Sequence, residues 1–176
     1  SNDLPPLSKD IFHLVIVPVI RETMDIVEPG IEAIKNGIYP SKQFLVVIAL
    51  EETAPDPVKL DMKKIKDKHR NDFLDFFVVM HPANRSGEAK VKGANTTFAA
   101  RQAADYFKKQ TIPCENVLVS CFDADTVPNP YYFGCLTYYF MVSPDRLRSS
   151  YQPVPVYHNN IWDAPGFARV MDVGTS

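Results

Sequence analysis

Residues 117–130 read Val-Leu-Val-Ser-Cys-Phe-Asp-Ala-Asp-Thr-Val-Pro-Asn-Pro. We infer the fold of the chain first from this stretch and then from the segments that precede it. The apolar run from Val117 to Phe122 is typical of a strand that is buried on both faces of a sheet. Two carboxylates, Asp123 and Asp125, follow at once. Ligands of open α/β sheets bind outside the carboxyl ends of the strands. The two acids can therefore share a divalent metal ion with a bound phosphate, or they can simply form an Asx turn.

Two earlier segments, 13–19 and 44–50, also have the composition of buried strands, and 73–80 is predicted to be a further strand. Helical patterns separate the strands. The first helix is expected to begin near Pro29, because proline suits the first turn of a helix. This alternation predicts an α/β fold with a mostly parallel, Rossmann-like sheet and right-handed crossovers. Such sheets commonly bind nucleotides where the strand order reverses.

The later helices are predicted from caps and apolar spacing. The second is expected to have Asp56 as its cap and Pro57 as its first residue, the third to be capped around Asn95 or Thr96, and the fourth to begin near Asn129. The lysines of the second helix are interpreted as a solvated face rather than a nucleic-acid surface. The predicted inward faces consist of Val58, Met62, Ile65 and His69, then Ala99, Ala103, Tyr106 and Phe107, then Phe133, Leu136 and Phe140.

Composition narrows the class of function. A length of 176 residues allows one domain with a full core. The net charge of −2 argues against a general nucleic-acid binder, so an anionic ligand must meet local groups or a metal ion. No apolar run reaches the roughly 18 to 20 residues of a membrane span. Three cysteines (Cys114, Cys121 and Cys135) are too widely spaced for a zinc knuckle and are expected to be reduced and mostly buried.

Five short motifs resemble, in order, those of the family 2 glycosyltransferases, the large inverting group with the GT-A fold. The segment 18–22, Pro-Val-Ile-Arg-Glu, resembles the Pro-x-x-Asn-Glu turn of that family, with Arg in place of Asn. The segment 38–40, Ile-Tyr-Pro, resembles its Gln-x-Tyr-Pro segment. Lys-Gly-Ala-Asn at 92–95 is similar to its Lys-x-x-(Ala/Asn)-x-Asn stretch, but shorter. Asp-Ala-Asp at 123–125 matches its Asp-x-Asp motif, and Gln-Pro at 152–153 resembles its Gln-x-Pro strand.

The resemblance implies a metal-dependent inverting glycosyltransferase whose donor is a nucleoside-diphosphate sugar. It implies that Asp125 holds Mg²⁺ or Mn²⁺, while Asp123 contacts the ribose or a metal-bound water. Lys92 either meets the diphosphate or is an ordinary surface lysine. Where the family usually has Asp-Asp-Gly-Ser, this chain has Glu-Glu-Thr at 51–53, which can still accept hydrogen bonds from a base or ribose. The other expected donor-binding residues are Pro18, Val19, Glu22, Glu51 and Asn95.

The catalytic base of the family is an acidic residue well downstream of the Asp-x-Asp motif. We therefore expect residues 1–176 to form a single nucleotide-sugar-binding domain of a longer enzyme, inactive by itself, with the base beyond Ser176. The domain is expected on the cytoplasmic side, and any membrane attachment would come from segments outside this sequence.

Two alternatives remain open from the sequence. Asp123-x-Asp125-x-Val127 also fits the first motif of haloacid-dehalogenase-type phosphatases, in which Asp123 would be a phosphorylated nucleophile. Those enzymes generally carry that motif on their first strand, whereas three predicted strands precede it here. The second alternative is a non-catalytic nucleotide-binding module of the same fold.

Overall fold

The computed structural model describes residues 6–82 and 92–152, with the backbone alone for 92–94. The four described strands form one parallel sheet in the order β3-β2-β1-β4. The strands are β1 (Phe12–Pro18), β2 (Phe44–Glu51), β3 (Asp75–His81) and β4 (Val117–Cys121), and the helices are α1 (Met24–Asn36), α2 (Asp56–His69), α3 (Lys92–Lys109) and α4 (Tyr132–Val142).

Helices cover both faces of the central strands. On β1, Val15 and Val17 belong to the core under α1 and α2, while Leu14 and Ile16 belong to the core under α3. All four side chains are buried, and β2 is buried along almost its whole length. The predicted parallel α/β sheet and the two-sided burial of its first two strands are therefore confirmed.

The two-sided burial that was predicted for the fourth strand is wrong. β4 is the last strand on its side of the described sheet, and α3 packs mainly over the other three strands. Val119 is consequently 61% exposed, whereas Leu118 on the opposite face is buried. The cysteines also depart from expectation, because all three are exposed.

α1 and α3 begin several residues earlier than the sequence predicted, and α4 begins slightly later. α1 starts at Met24 and carries Pro29 inside it, since Val27 extends its buried face upstream of the proline. α3 starts at Lys92 rather than at Asn95 or Thr96. α4 starts at Tyr132, and Asn129 lies in the turn before it, where its side chain accepts a hydrogen bond from the amide of Tyr131 and its carbonyl oxygen accepts one from the amide of Tyr132.

The inward faces of the helices are largely as predicted. Val58, Met62, Ile65 and His69 are all buried in α2, and Ala99, Ala103 and Phe107 are buried in α3. Within the described part of the chain, no helix is both long and apolar enough to cross a membrane.

Candidate functional site

The strand order reverses between β1 and β4. After β1 the chain proceeds outward to β2 and β3, and it then returns to form β4 on the other side of β1. The amide of Phe122 donates to the carbonyl oxygen of Ile16 at 3.0 Å, which extends the pairing of β1 and β4 past the last residue of β4. The turn at 18–22 and the acidic turn at 123–126 therefore begin side by side at the carboxyl edge, where α/β sheets bind their ligands.

The two acidic residues lie on a tight turn. The amide of Thr126 donates to the carbonyl oxygen of Asp123 at 3.0 Å, which closes the turn. Asp123 and Asp125 are both exposed, while Ala124 between them is 5% exposed and packs into the core. Asp125 has no hydrogen-bond or ion-pair partner in the described residues, so its carboxylate oxygens face solvent. Exposed carboxylate oxygens are the ligands that Mg²⁺ and Mn²⁺ prefer.

The acidic turn is anchored to α1 and to the loop that follows it. A Cβ atom on Gly30 would lie 2.5 Å from the carbonyl oxygen of Thr126, so the backbones of the helix and the turn are in direct contact. Farther along, the amide of Ile38 donates to the carbonyl oxygen of Pro130 at 3.0 Å. Both ends of the segment 126–130 are thus held by α1 and its C-terminal loop, which fixes the position of the two acids.

Glu22 supports the turn after β1. Its Oε2 accepts hydrogen bonds from the amides of Ile20 at 2.7 Å and Arg21 at 3.0 Å. The neighbouring Pro18 and Val19 are buried, and the amide of Val19 donates to Ala49 on β2. Pro18 and Val19 therefore offer a ligand neither an exposed side chain nor a free amide.

The remaining predicted residues surround the same edge from other elements. Glu51 ends β2, and its Oε2 accepts a hydrogen bond from the hydroxyl of Thr53 at 3.2 Å. Asn95 lies in the first turn of α3 and is buried. Lys92 is the first residue of that helix, and its side chain lies outside the described part of the structure, as does Pro153 of the last motif.

The first turn of α3 lies close to β4. The hydroxyl of Thr96 is 3.9 Å from the sulfur of Cys121, the last residue of that strand. The N-terminal amides of a helix carry a partial positive charge and favour anions. α1 also begins near this edge, at Met24, directly after the turn at 18–22. The N-terminus of α3 therefore supplies positive potential next to β4, whereas the first amide of α1, that of Met24, already donates to Asp61 at 3.4 Å.

A second group of possible metal ligands lies between α1 and α2. Single ligand atoms of Glu28, Glu32 and His69 lie within 4.8 Å of one another. The ammonium group of Lys68 is 2.7 Å from Glu28 and 3.3 Å from Glu32, and its hydrogen bond to Glu28 is the main reason why the pKa of that carboxyl is lowered. On the other side of the ring, Nδ1 of His69 is hydrogen-bonded to Asp72 at 2.9 Å. Because Lys68 already forms ion pairs with both glutamates, we interpret this group as an ion-pair network that joins the two helices.

Comparison with known proteins identifies the fold but not the family. No protein-family model and no curated protein matches the sequence. Among solved structures, a mannosyltransferase from Pyrobaculum calidifontis, determined in complex with GDP-mannose and Mn²⁺, is similar, with a TM-score of 0.51 and 20% identity. The similarity covers 81% of this chain and 36% of the mannosyltransferase, so the chain spans only about a third of that protein. The fold is α/β, Rossmann-like and similar to that of a glycosyltransferase.

Sequence reasoning did not identify the residues that position the acidic turn. Gly30 and Thr126 touch in the structure but are remote in the sequence, and neither belongs to a recognisable motif. The one available signal was a glycine inside an otherwise apolar helical face, since such a glycine costs helix stability and is usually retained for close packing. Asn129 was assigned to the start of α4, and its side chain instead accepts a hydrogen bond from the amide of Tyr131 at the end of the turn segment.

Proposed function

We propose that this chain is the donor-binding part of a metal-dependent, inverting family 2 glycosyltransferase, with Asp-Ala-Asp at 123–125 as its Asp-x-Asp motif. The observation that carries the proposal is the position of Asp123 and Asp125 on an exposed turn beside the β1–β4 switch point. The similarity in fold to a mannosyltransferase that was solved with GDP-mannose and Mn²⁺ supports it.

The proposed roles of the two acids follow from their surroundings. Asp125 would be the principal ligand of Mg²⁺ or Mn²⁺, since its oxygens have no partner among the described residues. Asp123 would contact the ribose or the metal ion. Such ions are commonly held by one or two carboxylates together with substrate phosphates, which fits two acids at this turn. A bound ion would act as a Lewis acid toward the diphosphate leaving group.

The rest of the donor would be held by the elements that meet at this edge. The N-terminus of α3 favours the charge of the diphosphate, and Lys92 would add a point charge. Glu51 would accept a hydrogen bond from the base or the ribose. The turn at 18–22, which Glu22 holds in shape, would present its backbone to the nucleoside. Asn95 would support the same pocket from the first turn of α3.

Titration calorimetry with GDP-mannose and with UDP-glucose, each with Mn²⁺ and with EDTA, tests the proposal. We expect binding of at least one donor with Mn²⁺ and almost none with EDTA, because the carboxylates and the diphosphate repel one another without the cation. We also expect no transfer of the sugar, since the proposed base lies beyond Ser176. Equal affinity with and without EDTA would remove the metal ion from the proposed site.

The phosphatase alternative is tested with the same sample. The acidic motif follows the fourth described strand and not the first, which disfavours a haloacid-dehalogenase-type enzyme. Hydrolysis of p-nitrophenyl phosphate in the presence of Mg²⁺, lost in Asp123→Asn, would instead establish Asp123 as a nucleophile. We expect no such hydrolysis.

A further inference from the structure

A groove of about 480 Å³ lies far from the acidic turn, between α2 and β3. Its apolar wall includes Leu60 of α2 and Val78 and Met80 of β3. Leu60 and Met80 are 54% and 52% exposed, so two large apolar side chains lie open to solvent within one depression. The proposed donor site makes no use of this surface.

The groove opens at an unpaired edge of the sheet. β3 is the end of the strand order, and no described strand pairs with its outer side. The groove-lining residues of α2 lie on the side of the helix opposite to Asp61 and Lys68, whose side chains contact α1. They therefore face outward, past β3, and the groove runs along the free backbone edge of that strand.

Within Asp75–His81, this edge carries none of the lysines or prolines that usually protect an edge strand from pairing. Edge strands in stable monomers commonly carry lysines, proline or a bulge that prevents another strand from adding. β3 instead reads Asp-Phe-Phe-Val-Val-Met-His over seven residues. Its outward backbone amides and carbonyls can accept a further strand, whose alternate side chains would then enter the groove.

The rim of the groove is basic. Lys59, Lys63 and Lys66 line it, and Asp67 is its only acidic lining residue. Nζ of Lys59 is 3.7 Å from Oδ1 of Asp56, whose side chain is almost fully exposed. Neither Lys63 nor Lys66 has an ion-pair partner within the described ranges. Three cations above an apolar floor complement an acidic ligand that also carries apolar side chains.

We propose that this groove binds an acidic, extended peptide segment of a partner protein. The segment adds as a strand to the outer edge of β3. Every second side chain then enters the groove, where its carboxylate reaches the lysines and its methylene groups lie on the apolar wall. A second copy of the chain fits less well, because antiparallel pairing of two β3 edges puts both α2 helices on one face and brings their lysines together. A flat anionic membrane would leave the backbone edge of β3 unpaired.

A synthetic heptapeptide of alternating Glu and Val, labelled with fluorescein, is the probe. Its affinity for the full chain is measured by fluorescence anisotropy. We compare three control peptides: the same composition with its glutamates in one block, the same pattern with Lys in place of Glu, and a version with proline at the central valine. The proline removes a strand-pairing amide while the charge stays constant.

Two double variants complete the design, since each removes two positive charges from the surface of a helix. K63Q/K66Q changes the groove, and K108Q/K109Q changes the distant end of α3. We expect the alternating acidic peptide to bind the wild-type chain, about tenfold more weakly to K63Q/K66Q, and unchanged to K108Q/K109Q, as the loss of two partly exposed ion pairs predicts. The blocked, basic and proline peptides should bind much more weakly than the probe.

Three results would overturn the proposal. The first is no binding of the alternating acidic peptide, whether or not the chain binds phosphatidylserine vesicles through the same lysines. The second is equal affinity for the alternating and blocked peptides, or equal losses in the two double variants, which would indicate general charge attraction. The third is that light scattering shows the wild-type chain as a dimer and that the peptide does not dissociate this dimer. That result would assign the edge of β3 to a second copy of the chain.

Discussion

Gly30 and Thr126 are in contact backbone to backbone: a Cβ atom on Gly30 would lie 2.5 Å from the carbonyl oxygen of Thr126. This distance is shorter than any ordinary contact of a Cβ atom, and a carbonyl of a turn cannot rotate away as a side chain can. α1 is therefore the support against which the turn carrying Asp123 and Asp125 is held. The proposed donor site depends on a helix that contributes no side chain to it.

Gly30→Ala should destabilise the fold, although alanine is the better helix former. Helix propensity favours the substitution by about 1 kcal/mol. The clash must, however, separate α1 from the turn, and overpacking of this kind costs about 1–3 kcal/mol. Urea unfolding should therefore show a net loss of stability, and the affinity for nucleotide with Mn²⁺ should fall as the turn moves.

Gly134→Ala is the matched control for this prediction. Gly134 lies inside α4, and nothing lies within 4 Å of the position that its Cβ would occupy. The substitution should stabilise the protein by up to about 1 kcal/mol through helix propensity alone. If both glycine variants were stabilised alike, the contact between α1 and the acidic turn would not constrain the protein.

The contrast between α2 and β4 explains how much of this fold the sequence could predict. The buried face of α2 was predicted residue by residue, because apolar spacing within one helix determines which side faces the core. The apolar run of β4 also predicted a strand correctly. It could not predict that Val119 would be exposed, since that depends on whether a helix covers the strand.

The candidate site shows the same division between local and long-range information. Strand ends can be predicted from the sequence, so Asp123 and Asp125 were correctly expected at the carboxyl end of a strand. The start of α1 was predicted too late, because Pro29 suggested a first turn while the apolar face begins before it. The contact between Gly30 and Thr126 joins residues from distant parts of the chain, and no local pattern encodes it.

Thr111→Gly should stabilise the protein by about 0.5–1 kcal/mol. Thr111 follows α3 with φ of 56°, a left-handed conformation that a β-branched residue adopts only with strain. The amide of Ile112 donates to the carbonyl oxygen of Phe107 at 3.0 Å, which is the hydrogen bond of a C-terminal cap in which glycine is the usual residue at this position. Urea unfolding at neutral pH measures the gain.

The neighbouring Gln110 provides the comparison for Thr111. Gln110→Gly, at an exposed position without a positive φ, should cost stability because glycine gains nothing there and loses backbone entropy on folding. A loss of stability in both variants would mean that the left-handed conformation of Thr111 carries no strain.

His13 should make the fold less stable as the pH falls from 7 to 5. The side chain is fully buried and packs against the rings of Tyr39, Phe44 and Phe133. Its Nε2 is hydrogen-bonded to the hydroxyl of Thr137 at 2.9 Å, and its Nδ1 has no hydrogen-bond partner among the described residues. Burial lowers the pKa of His13 to about 3.

The sign of the effect follows from proton binding by the unfolded chain. When the pH falls below about 6.5, the ordinary pKa of histidine, His13 of the unfolded chain takes up a proton that His13 of the folded chain does not. Stability is therefore lost as the pH falls from about 6.5 toward the folded pKa of about 3, and the loss from His13 between pH 7 and pH 5 should be about 2 kcal/mol.

In His13→Phe this loss should disappear, whereas His81→Gln, at a partly exposed histidine, should keep it. Urea unfolding of the three proteins at both pH values makes the comparison, and an equal pH dependence in His13→Phe and the wild type would exclude His13 as its source.

Asp125→Asn should separate metal binding from stability. The substitution preserves the shape of the side chain and removes its charge, and the carboxylate has no partner among the described residues that would be lost. The melting temperature without ligand should be unchanged or slightly higher, because repulsion from Asp123 is relieved. The increase in melting temperature on adding nucleotide with Mn²⁺ should largely vanish, since stabilisation by a ligand depends on the ratio of its concentration to its dissociation constant. Asp105→Asn, which removes the same charge from an exposed position on α3, should keep the full response.

If Asp125 instead satisfies the amides of its turn, the variant should lose about 0.5–2 kcal/mol of stability, by analogy with helix caps, and still respond to nucleotide with Mn²⁺. That outcome would remove Asp125 from the metal site and leave the two carboxylates as a structural turn.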